Sequence, residues 1–75
     1  MMLNEIKPNQ NCQIIKIDTA IKQRLLDLGL IEGSTITKVL ENKGMDAYEI
    51  KGSIIALRKK DTNNIEVNLI WKLDL

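Results

Sequence analysis

The chain has 75 residues, and eleven Lys and Arg against ten Asp and Glu leave a formal charge of +1, so there is room for one domain and no strong field steering it toward nucleic acid or anionic lipid. Histidine and phenylalanine are absent, Tyr48 and Trp71 are the only aromatics, and the single cysteine, Cys12, cannot close an internal disulfide. These gaps remove the usual general base and zinc ligand, the stacking platforms for single-stranded nucleic acid, and the disulfide-stapled secreted modules.

Cys12 to Ile17 alternates apolar and polar residues imperfectly and is rich in isoleucine, which predicts a strand. Asp18 or Thr19 can then cap a short helix by accepting a free backbone N–H of its first turn. Along that helix Ile21, Leu25 and Leu28 form one apolar stripe at i, i+4 and i+7, and Lys22, Gln23 and Asp27 point away. Gly29 ends the helix in the left-handed conformation, which lets Leu30 fold back onto Leu25. Ile31-Glu32-Gly33-Ser34 reads as a turn.

Thr35 to Glu41 favours a strand, with Thr35, Thr37 and Val39 on one face and Ile36 and Leu40 on the other. Asn42-Lys43-Gly44 is a turn, Ala47 to Ile50 a third strand, and Lys51-Gly52 a tight hairpin turn into a fourth strand, Ile54 to Leu57. The polar run Arg58 to Asn64 reads as a helical turn or loop, and Ile65 and Val67 make a last short strand. The tail from Leu69 through Trp71 to Leu75 is apolar enough to pack on the body. The expected architecture is mainly β, a partly open five-stranded antiparallel barrel, because closure leaves few free edges in so small a chain. One short helix lies between the first two strands and plugs an open end with Ile21, Leu25 and Leu28.

At this point the residues resemble a known family. Arg24-Leu25-Leu26-Asp27-Leu28-Gly29-Leu30-Ile31-Glu32-Gly33-Ser34 is similar to the signature "rLLdLGl-x-pGs" of the FeoA family. Gly44-Met45-Asp46 through Gly52 to Ala56-Leu57-Arg58-Lys59-Lys60-Asp61 resembles its "GDP…v-G…iaLRr-x-eA" region, and Ile65-Glu66-Val67 its closing strand. The blocks run in order over residues 12–67, leaving Asn68 to Leu75 as a tail to a single domain spanning the whole chain. The departures are modest: Glu32 and Ala47 stand where the family often has proline, Met45 is inserted into the Gly-Asp pair, and Thr62 replaces alanine.

The resemblance implies a small SH3-like barrel acting as a non-enzymatic accessory protein of ferrous iron uptake, docking on the cytoplasmic part of a FeoB transporter. Such a module acts only through binding energy that differs between transporter states. The docking candidates are Arg24, Leu25, Leu26, Asp27 and Leu30, with the basic cluster Arg58, Lys59 and Lys60. Leu25, Leu26 and Leu28 also read as core on helical periodicity, and Leu26, about 100° from Leu25 around the helix, is the best candidate for a partly exposed apolar contact. The alternative is a free-standing transition-metal-binding regulator related to the SH3-like domain that ends DtxR-type repressors. The chain has no room for the DNA-reading domain those repressors carry.

No motif calls for a cofactor or a resident metal. Cys12, Glu32, Glu41, Asp46 and Glu49 are scattered potential ligands, and without histidine they support a site for ferrous iron poorly. Cys12 lacks a histidine to activate it and reads as a buried structural thiol, so no catalytic residue is assigned. No glycine arrangement cradles a phosphate. No apolar run is long enough to cross a membrane, and the first ten residues lack a signal-peptide core. A cytoplasmic location is expected.

Overall fold

The computed structural model describes residues 1–70, so the expected packing of Trp71 lies outside the described residues. A 3-10 turn at Leu3–Glu5 precedes β1 (Asn11–Ile17), α1 (Thr19–Leu26), β2 (Thr35–Glu41), β3 (Met45–Ile50), β4 (Ser53–Arg58), the single-turn α2 (Lys59–Thr62) and β5 (Ile65–Leu69). The strands form one antiparallel sheet in the order β4-β3-β2-β1-β5. The mainly β architecture with a short helix between the first two strands is as expected. The third and fourth strands each extend beyond the expected limits, and the fifth runs on through Asn68 and Leu69.

Asp18 is the helix cap, its Oδ1 accepting the Ala20 N–H at 3.0 Å. At the other end Leu30 N–H donates to the Leu25 carbonyl at 3.1 Å and Gly29 N–H to that of Leu26 at 3.0 Å. This is the paired bonding of a Schellman motif, with Gly29 at φ +87°. Leu25 and Leu30 are both buried in the core, as the fold-back requires. Ile21 packs partly against it, but Leu28 is 46% exposed and does not plug the barrel. The cap unwinds the helix after Leu26, so position i+7 no longer follows the helical stripe. A methyl group at Gly29 would meet nothing within 4 Å, so Gly29→Ala is expected to destabilise by about 1 kcal/mol through backbone strain alone. A lower urea midpoint at unchanged slope would show this.

Two irregularities set which side chains face inward. The register of β1 against β5 shifts between Ile14 and Lys16, so Cys12, Ile14 and Ile17 are buried while Ile15 is exposed. The register of β2 against β3 shifts between Lys38 and Leu40. Leu40 was expected on the Ile36 face, yet it is 53% exposed, and Lys38 is fully buried beside Ile36. An extra residue in one strand moves every later side chain to the opposite face.

The core gathers Leu3 and Ile6 from the N-terminal segment with Ile36, Tyr48 and Leu57 from the sheet and Val67 from β5. The N-terminal segment also covers the outer edge of β5. Val67 N–H donates to the Met1 carbonyl at 2.8 Å, and Met2 bridges Glu66. β4, at the opposite edge, has no such cover: among the described residues its backbone pairs with β3 alone.

Candidate docking site

The two groups of docking candidates lie 34 residues apart in sequence, from Arg24 to Arg58, and one carboxylate joins them. Asp61, 7% exposed on α2, accepts from the Arg24 Nη2 at 2.7 Å and from the Arg58 Nε at 3.3 Å. Asp61 can hold this place because α2 begins directly after β4, which turns its side chain back toward α1. The guanidinium groups remain largely exposed, with 55% of the Arg24 side chain and 46% of the Arg58 side chain open to solvent. Pairs this open contribute little to stability; their effect is to fix two cations side by side.

Leu26, two positions after Arg24 and so on the opposite side of α1, is 47% exposed, and Leu28 and Ile31 follow at 46% and 40%. Asp27 and Lys60 are exposed. Lys59 is half-buried and lies 3.8 Å from Asp46. Leu25 and Leu30, also expected at the docking surface, are each only 1% exposed and belong to the core. The accessible features are therefore the cations of Arg24 and Arg58, joined through Asp61, and the exposed apolar side chains of Leu26, Leu28 and Ile31 at and after the end of α1. Asp61 escaped the sequence reading because nothing local marks an aspartate as a partner for an arginine on another element. The Arg58-to-Asp61 spacing of one helical turn was the only available signal.

The potential metal ligands are not brought together. Glu32 pairs with Lys22 at 3.3 Å and accepts the Ile17 N–H at 3.1 Å, and that backbone bond first, then Lys22, holds its carboxyl below the usual range. Glu41 is likewise lowered by its bond to Lys38. Asp46 is buried 3.4 Å from the Lys38 Nζ. Among the described residues no three carboxylate or thiol groups cluster as a metal site would require. Cys12 is fully buried with its thiol directed at the Ile36 carbonyl, and burial pushes its pKa up to about 11. Tyr48 is also raised, by burial first and the Asp46 carboxylate second. A polar hollow lined by Lys16, Asp18, Asn64 and Glu66 opens near the start of α1 and contains none of the docking candidates.

This strand order, with a helix between the first two strands and a single helical turn before the last, defines a small SH3-like β module. The chain belongs to the FeoA family, matching the FeoA domain over residues 1–69. The solved FeoA-like protein from Clostridium acetobutylicum superposes with a TM-score of 0.86 at 20% identity, over 100% of this chain and 92% of that one. An iron uptake regulatory protein, FeoA, gives 0.85 at 22% identity, over 93% and 96%. ScaR, solved with bound Zn2+, gives 0.82 at 22% identity over 93% of this chain but only 37% of its own. At these identities the likenesses show the fold alone. No functionally curated protein matches the sequence.

Proposed function

We propose that this chain is a non-enzymatic accessory protein of ferrous iron uptake that docks on the cytoplasmic part of a FeoB-type transporter. The FeoA family is associated with iron uptake, and among the described residues no helix is long and apolar enough to cross a membrane. The observation that carries the docking reading is the convergence of Arg24 and Arg58 on Asp61, with exposed apolar Leu26, Leu28 and Ile31 following Arg24 along the chain. A surface that combines exposed apolar side chains with fixed cations has the composition of an interface centre and its polar border. The partner surface it fits is an apolar groove edged by carboxylates. A non-enzymatic role accords with a lone thiol that is buried and held protonated, in a chain without histidine.

The alternative, a free-standing metal-binding regulator, has the likeness to zinc-bound ScaR in its favour. It is the weaker reading because Glu32, Glu41 and Asp46 are each engaged by a lysine of this chain. The deciding experiment is a pull-down against the transporter's cytoplasmic G-domain and against the full-length transporter, with and without guanine nucleotide. Leu26→Gln is expected to weaken binding by about 5–30-fold while shifting stability by less than about 0.5 kcal/mol. Unchanged affinity in Leu26→Gln removes that residue from the interface. No binding by the wild type in any arm, with tight ferrous-iron binding by titration, would establish the alternative.

A further inference from the structure

The open edge of β4 is built to pair with another strand. Lys51 at φ +50° and Gly52 at φ +82° supply the two positive φ angles of a type I′ turn. Ile50 and Ser53, which flank that turn, are therefore a hydrogen-bonded pair, and bonding alternates along the uninterrupted β3–β4 register. Ser53, Ile55 and Leu57 turn their backbone groups toward β3, leaving those of Ile54 and Ala56 and the Arg58 N–H facing the open side. Proteins usually blunt such an edge with a bulge, a proline or an inward charge. Ser53 to Leu57 has none of these, and Ile54 is 59% exposed.

We infer that the β4 edge pairs antiparallel with the β4 edge of a second copy of this chain, about a two-fold axis at Ala56. In that register Ala56 exchanges both backbone bonds with its symmetry mate, and the Arg58 N–H of one copy reaches the Ile54 carbonyl of the other. The outward rows continue across the seam. Leu40, Ala47 and Ala56 already align over three strands, and the two-fold axis extends this apolar row into the second copy. Glu49 faces Ile54 within one chain, so the Arg58 of the other copy lies two strand spacings from Glu49, roughly 10 Å across Ile54, a span that two long side chains can bridge. Among the described residues Glu49 has no ion pair, and Arg58 meets Asp61 only through its Nε. Opposite charges meet and like charges stay apart, which favours a second copy over an arbitrary strand.

Sedimentation equilibrium from micromolar to millimolar protein tests this. The mass is expected to rise from 8.5 kDa toward twice that value. Ala56→Pro removes only an outward N–H, the position at which an edge strand tolerates proline. It should keep the far-UV spectrum and remain monomeric throughout. Should that variant not fold, Ala56→Cys provides the second readout, since Cys12 is fully buried and does not compete. A short bifunctional thiol linker should join two Ala56→Cys chains and fail with Ser53→Cys, whose symmetry mates lie roughly 20 Å apart along the strand direction. A wild type monomeric at millimolar concentration overturns the inference, as does association undiminished in Ala56→Pro or equal linking at both positions. Loss of transporter binding in Ala56→Pro, together with a wild type that stays monomeric, would overturn the inference and assign the edge to the transporter instead.

Discussion

Replacing Lys38 with methionine is expected to destabilise the domain by about 3–5 kcal/mol, enough to leave much of so small a protein unfolded at room temperature. Lys38 is fully buried. Its Nζ donates to the Ile6 carbonyl at 2.9 Å and to Glu41 Oε1 at 2.6 Å, and lies 3.4 Å from Asp46 Oδ2. Methionine fills the space of the stem but strands the Asp46 carboxylate, whose side chain is fully buried and otherwise meets only the Asn42 N–H at 3.1 Å and the half-buried Lys59 at 3.8 Å. A buried charge that loses its partner retains its desolvation penalty, which outweighs the attraction the intact pair contributed. The double variant Lys38→Met/Asp46→Asn should therefore recover most of the loss, since an amide oxygen can still accept the Asn42 N–H now bound by Asp46. Urea unfolding followed by far-UV circular dichroism measures both. Equal loss in single and double variants would show that Lys38 acts through packing and the Ile6 carbonyl.

Leu25→Ala is expected to be nearly as damaging, at about 2–5 kcal/mol, while Leu26→Ala next to it changes stability by less than about 0.5 kcal/mol. Leu25 is 1% exposed, holds α1 against the sheet and meets Leu30 through the helix-end motif. Truncating it opens a cavity beneath the only helix of more than one turn among the described residues. Leu26 is 47% exposed and carries no comparable contact. Thermal or urea melts of the two variants give the comparison, and similar losses would mean that the helix is packed differently from the arrangement described. A fold tolerant at Leu26 and intolerant at Leu25 is also what makes Leu26→Gln a clean test of docking.

Much of this architecture is legible in the sequence because the signals are local. Asp18 and Gly29 bracket the helix by their capping chemistry, and Lys51-Gly52 marks its hairpin by the backbone angles it permits. Thr35 to Glu41 appears with its expected limits because branched residues bounded by glycine turns allow little else. The rest depends on register, which no local pattern reveals. A bulge after Lys38 turns Leu40 outward, and a lysine reads as surface until Asp46 and the Ile6 carbonyl are brought to it by strand pairing. The candidate site divides the same way. Helical periodicity separates Leu25 from Leu26, but the meeting of Arg24 with Arg58 exists only through Asp61 and the path of α2.

The strand order also governs how the chain assembles. β2, β3 and β4 are joined by short turns and can zip together with little loop entropy, whereas β1 must find β5 across a span that pairs Ile17 with Ile65. The meander is thus positioned to form early in folding and the β1–β5 seam to close late. Substitutions in the hairpin at Lys51-Gly52 should act mainly on the folding rate, and those along the seam at Ile14 or Val67 mainly on the unfolding rate. The lifetime of the native state is then controlled from the edge that the N-terminal segment covers, at the opposite side of the sheet from β4.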